Sequence, residues 1–137
     1  MFFNKKDKNK NKNISLENIA SLLIHAAKID ENYSSKEEEI IKKSLIDLGA
    51  DEKNLDSLLI NAKKKEENSN QILDFTKEVK SMEKKEKIKI IKSLWKIIYS
   101  NKDADIYETN LMRRLSGLLY VDSKTMGDIK EEIRNKN

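Results

Sequence analysis

Cysteine is absent from the 137-residue chain, which excludes disulfides, thiolate metal sites and cysteine nucleophiles. Proline is absent as well, glycine occurs only 3 times and aromatic residues make up 6%. Sheets and irregular loops need more turn-formers and β-branched or aromatic residues than this, so the composition predicts helices with solvated faces. Histidine occurs once, at position 25, and a lone histidine without cysteine cannot assemble an ordinary zinc site. No stretch approaches the roughly 18 consecutive apolar residues of a membrane span. Met1-Phe2-Phe3 is followed by Asn4 and then by lysines, not by the apolar core of a signal peptide, so the expected compartment is the cytoplasm. A glycine-rich phosphate loop, a Ser-His-Asp order and nucleic-acid motifs are also missing, and nucleic acid is not an expected partner.

What the chain does have is charge and helical periodicity. Charged residues make up 38% and hydrophobic residues 37%. The apolar residues recur at helical spacing, which separates a packed domain from a disordered chain of similar charge. A single domain of this length buries roughly 65–70% of its unfolded surface. The net charge of +4 belongs to one end: Lys5, Lys6, Lys8, Lys10 and Lys12 against Asp7 account for all of it, and the remainder is neutral. Residues 1–13, a lysine and asparagine run without apolar periodicity, are expected to form a disordered tail preceding a domain over 14–137. Two phenylalanines beside five lysines suit weak contact with an anionic membrane surface.

About seven helices can be read. Ser15 is the expected cap of a first helix to Ile29, with Leu16, Ile19, Ala20, Leu23, Ala26 and Ala27 on one stripe widened by Leu22, so this helix should be central. Ser34 and Glu37 read as a capping box for a second helix ending near Leu48, stopped by Gly49. Asp51 caps a third, with Leu55, Leu58, Leu59 and Ala62 inward. A fourth carries Ile72, Leu73, Phe75, Thr76 and Val79. The fifth runs from Glu83 to Ser100 with Ile88, Ile91, Leu94, Trp95, Ile98 and Tyr99. The sixth covers 106–119, and Asp122 or Ser123 caps a last helix carrying Met126, Ile129 and Ile133. The expected fold is a single all-α domain.

Potential chemistry concentrates in two acid-rich turns. Asp30 stands seven residues before Glu37, and Asn101 stands seven before Glu108, the paired positions being 71 residues apart. The first turn and the helix start after it supply Asp30, Glu31, Glu37, Glu38 and Glu39. The second supplies Asp103, Asp105 and Glu108. Hard cations such as Ca²⁺ or Mg²⁺ take several converging oxygen ligands, and a turn between helices can bring such acids to one side. The alternating pattern of an EF-hand loop is absent. Helix capping by Ser34/Glu37 and Asp105/Glu108, favoured by the helix dipole, explains several of the same residues.

Elsewhere the residue types point to structure. His25 lies mid-helix among apolar neighbours, as a partly buried, hydrogen-bonded histidine would. Trp95 and Tyr99 sit one turn apart, a core spacing. The lysine runs at 63–65 and 84–89 alternate with acids, as on a solvated face. Arg113 and Arg114 are the only arginines before Arg134 in a lysine-rich chain. Their rigid five-donor forks suit bidentate contact with carboxylates, and bracing the second acidic turn or holding an anion are the two roles open to them.

Leu94-Trp95 on a long helix, an acidic turn, and then Tyr107-Glu108-x-x-Leu111-Met112-Arg113-Arg114-Leu115-x-x-Leu118-Leu119-x-Val121 resemble the TerB-like family associated with tellurite resistance. Ala26-x-x-x-Asp30-x-x-Tyr33-Ser34-x-x-Glu37 resembles that family's opening unit, and the likeness covers 15–134. It implies an all-helical domain of about seven helices with a pseudo-repeated arrangement, and a bacterial cytoplasmic protein linked to metal or oxyanion stress and to membrane-associated complexes. It implies no enzymatic reaction. Asp30, Glu37, Glu108, Arg113 and Arg114 fall on matching positions. The family's Asp-Gly turn stands here as Asp30-Glu31 and as Asn101-Lys102, with less backbone freedom and, at the second turn, one charge fewer. The expected function is a non-catalytic module that binds another protein, with a divalent cation at its acidic turns. A membrane-peripheral adaptor and a small carboxylate-dependent hydrolase are the alternatives.

Overall fold

The computed structural model describes residues 5–28, 35–68, 73–77, 79–100 and 106–136, with side chains described from Leu16 onward except those of 73, 74, 106–109 and 136. All regular structure among the described residues is helical. In order these are α1 (Lys5–Lys28), α2 (Ser35–Asp47), α3 (Leu55–Asn68), α4 (Leu73–Thr76), α5 (Lys84–Tyr99), α6 (Ile106–Leu118) and α7 (Ser123–Lys136). Single 3₁₀ turns at Glu52–Asn54 and Val79–Ser81 precede α3 and follow α4. The expected all-α fold is therefore the observed one.

Several boundaries differ from expectation for physical reasons. α1 begins at Lys5, so Ser15 lies inside the helix and not at its cap, and its first turns fall within the stretch read as a disordered tail. Lysine is a good helix former and can extend a helix whose apolar stripe begins later. The fourth segment is broken into α4 and the 3₁₀ turn, but its apolar residues still reach the core: Phe75, Thr76 and Val79 are buried. Asp51 caps the 3₁₀ turn before α3, accepting from the Lys53 amide at 3.1 Å.

α2 and α6 end in the same way. The amide of Ala50 donates to the Leu45 carbonyl and that of Gly49 to Ile46, with Gly49 at φ 107°. The amide of Val121 likewise donates to Ser116 and that of Tyr120 to Gly117, with Tyr120 at φ 57°. Both are left-handed Schellman stops, and only the first uses the residue that takes this conformation without strain.

The core lies between α1 and α5. Leu22, Leu23, Ile24, Ile41, Leu45, Ile90, Ile91, Leu94, Ile97 and Ile98 are each 1% exposed or less. α5 buries a wider face than expected, since Ile90 and Ile97 are buried while Ile88 is only partly covered. Helices α1 to α4 pack on one side of the core, and α7 packs along α5. α1 approaches α3 closely through small residues: the buried Ser21 hydroxyl donates to the Ala62 carbonyl at 3.0 Å. Cross-helix ion pairs lace the same surface, among them Lys28 to Glu66 at 2.7 Å, Lys63 to Glu38 at 2.8 Å and Lys92 to Glu132 at 3.5 Å. No helix among the described residues is long and apolar enough to cross a membrane.

Candidate functional site

The first acidic turn itself, including Asp30, Glu31 and Ser34, lies outside the described residues, as do Asp103 and Asp105 and the side chain of Glu108. The helix that follows the first turn is described, and its opening acids separate sharply. Glu37 is 1% exposed, whereas Ser35, Lys36 and Glu39 around it are exposed. Glu38 is committed to Lys63 on α3, and Glu39 to Lys43 one turn along at 3.6 Å. Burying a carboxylate costs several kcal/mol unless opposing charge or hydrogen bonds compensate. Among the described acids at the start of α2, Glu37 is thus the one drawn into the protein.

A contact remote in sequence joins the surroundings of the two turns. The Lys36 ammonium donates to the Ser100 carbonyl at 3.4 Å, and Ser100 closes α5 with its hydroxyl on the Ile97 carbonyl at 2.6 Å. Lys36 follows the first turn by two residues and Ser100 immediately precedes the second. α2 runs antiparallel to α5, its other end sharing a groove with the start of that helix through Ser44, Asp47, Lys89, Lys92, Ser93 and Lys96. The start of α2 and the close of α5 therefore meet at one end of the α2–α5 pair. Sequence spacing recorded the likeness of the two turns but carried no signal of the Lys36 to Ser100 contact.

Among the described residues no group of three or more His, Cys, Asp or Glu converges as a metal set would.

His25 is half-buried, its Nδ1 3.4 Å from Glu66 Oε1 and its ring 6.5 Å from that of Phe75, so it sits in structural contacts as expected. Trp95 and Tyr99 are buried and stacked, ring centroids 5.7 Å apart. The lysine runs are mostly solvated or ion-paired, but Lys87 is an exception. It is 8% exposed and points its ammonium 5.9 Å from the Tyr120 ring centroid. Arg113 and Arg114 are exposed on α6 and form no ion pair with a described residue.

Arg113 instead rims a feature that sequence reading missed. Trp95, Met112, Arg113, Ser116, Ser123, Met126, Gly127 and Lys130 line a notch of about 210 Å³ between α5, α6 and α7. The Lys130 ammonium stands 5.5 Å from the Trp95 ring centroid. The signal in the sequence was faint: Met126 and Lys130 one turn apart on a helix that otherwise reads as an ordinary amphipathic one.

α7 is positioned by its cap. Asp122 accepts from the Thr125 hydroxyl at 2.7 Å and from the Thr125 amide at 3.0 Å. These two bonds, the side-chain one foremost, hold the Asp122 carboxyl below its ordinary range, with a smaller contribution from Lys84.

An all-helical domain in which α2 and α6 both end in left-handed stops is the class the structure defines. Residues 16–131 match the family model described as tellurite resistance protein TerB, and the chain belongs to that family. No curated protein and no solved structure matches it.

Proposed function

We propose that the chain is a non-catalytic helical module that binds another protein in the cytoplasm, and that Ca²⁺ or Mg²⁺ held at its acidic turns tunes that binding. Asp30 and Glu37 are the principal ligands, with Asp103, Asp105 and Glu108 supplying oxygen from the second turn. The Lys36 to Ser100 contact supports this reading, because it joins the start of α2, where Glu37 is buried, to the close of α5. Hard cations need several oxygens to converge, and on this reading the acids of both turns supply them. Lys36 brings a positive charge to the same place, which compensates the acids when no metal is bound. A bound cation therefore competes with that ammonium, and affinity is expected to fall in the range of weak, adaptable sites.

The test is a titration of the isotopically labelled full chain with CaCl₂ and with MgCl₂, followed by NMR. Saturable shifts are expected at 35–39 and at Ser100, with a raised melting temperature, because a ligand at about 100 times its Kd stabilises by roughly 2.7 kcal/mol. Asp30→Asn should abolish the shifts while leaving the apo melting temperature unchanged. Flat spectra at millimolar metal would remove the cation from the proposal.

A further inference from the structure

The notch between α5, α6 and α7 has the chemistry of a receptor for a particular kind of chain segment. Its floor is apolar, made by Trp95, Met112 and Met126, all buried. Its rim is cationic, with Arg113 and Lys130, and two serines, Ser116 and Ser123, add hydroxyls. Neither Arg113 nor Lys130 has a carboxylate partner among the described residues, whereas lysines elsewhere, such as Lys28, Lys63, Lys65 and Lys92, do. A cation left unpaired over an apolar floor is complementary to an anion joined to an apolar body.

A second, independent sign comes from the indole. Trp95 is 3% exposed, and its Nε1–H has no hydrogen-bond partner among the described residues. A buried donor left unsatisfied costs about 1–3 kcal/mol, and buried tryptophan N–H groups normally find an acceptor. An acceptor supplied by a ligand seated on this residue would remove that cost.

Size then selects among ligands. Small-molecule and cofactor sites occupy roughly 300–1,000 Å³. At about 210 Å³ the notch takes one or two side chains. Aromatic anchors beside arginine are also what interface hot spots are built from.

We propose that this notch docks an acidic segment of a partner protein. The segment seats one large apolar side chain on Trp95, Met112 and Met126, and sets flanking carboxylates against Arg113 and Lys130. This rests on the reading of the chain as a protein-interaction module and gives that module a docking face on α5, α6 and α7. Its occupant is opposite in charge to anything the turns would attract. Methionine on the floor suits a segment whose apolar residue varies, since the thioether side chain adapts its shape.

The chain has a single tryptophan, so one indole resonance reports on the notch. The labelled full chain is titrated with capped Glu-Phe-Glu, and separately with Gln-Phe-Gln and Glu-Ala-Glu. Glu-Phe-Glu is expected to move the Trp95 indole resonance saturably, with the other two at least about tenfold weaker. R113Q and K130Q, each at a solvent-accessible position, should each weaken the response about fivefold with unchanged melting temperature. M126A should weaken it with the carboxylate dependence intact. An indole insensitive to Glu-Phe-Glu, equally sensitive to Gln-Phe-Gln, or unaffected by R113Q and K130Q overturns the proposal. An equal response to sodium octanoate overturns it in favour of an aliphatic anion. A shift that appears on concentrating the protein alone overturns it in favour of self-association. A silent indole alongside clear calcium shifts at 35–39 overturns the notch while leaving the module reading standing.

Discussion

Tyr120 holds a backbone conformation that costs a residue with a side chain about 1–2 kcal/mol, yet it closes α6 with the same hydrogen bonds that Gly49 makes for α2. Its ring explains how the position is tolerated. Lys80 stands 4.7 Å and Lys87 5.9 Å from the ring centroid, and cation–π contacts at exposed sites contribute about 0.5–1 kcal/mol each. The strain is therefore roughly matched by contacts that only an aromatic side chain provides. Tyr120→Gly removes the strain, the ring contacts and some unfolded-state restriction together, so urea unfolding should place it within about 1 kcal/mol of the parent. Tyr120→Val keeps the strain, adds β-branching and loses the ring, and should lose at least about 2 kcal/mol. Equal stability of the two variants would show that φ at this position is not the controlling term. Gly49 was legible in the sequence as a helix stop because glycine there has one obvious use. Tyr120 was not, because its stop depends on lysines 40 and 33 residues earlier in the chain.

Among the helices, the caps and stripes were the readable parts. Asp122 or Ser123 was the expected cap of α7, and it is Asp122 that caps it; its depressed carboxyl pKa fixes how that contribution varies with pH. The folded value lies below the unfolded one. The stabilisation is therefore fully present above the ordinary carboxylate range and is lost as pH falls through the lowered folded value. Asp122→Ala should lower the melting temperature at neutral pH, and the gap from the parent should narrow steadily below about pH 4. A gap of constant size down to pH 2 would mean that the ionised carboxylate contributes nothing special to the cap. The boundaries that misled have local causes. Ser15 has the composition of a cap but sits where α1 is already wound, and the fourth apolar segment is too short and polar-flanked to stay one helix. The α2 opening is a different case. Glu37 was singled out as an acid of the first turn, and its burial follows from tertiary packing of α2 on α5, which periodicity alone does not reveal.

For the whole molecule, α5 is the shared support. Ile91 is fully buried in the centre of this helix, whereas Ile88 lies at the edge of the core. Ile91→Ala should cost about 2–5 kcal/mol by urea unfolding, and Ile88→Ala clearly less, since cavity and transfer terms both scale with burial. Equal losses would displace the core from the position described. The all-helical class followed directly from missing proline and scarce glycine together with apolar spacing. The candidate sites followed less directly. The acids were visible as types, but the contact of Lys36 with Ser100 spans 64 residues, and the notch depends on three helices meeting. Contacts between distant segments leave no period in a sequence.

The division of packing around α5 also has a consequence in time. Helices α1 to α4 are fastened to one another as well as to α5, while α7 rests chiefly on α5, with a lighter contact to α6. Openings that free α7 break fewer fastenings than openings that free α1, so the carboxy-terminal helix breathes on its own while the rest of the molecule stays closed. One wall of the notch is then a door that swings many times for each global unfolding, and a partner could enter between those swings without the protein ever letting go of its core.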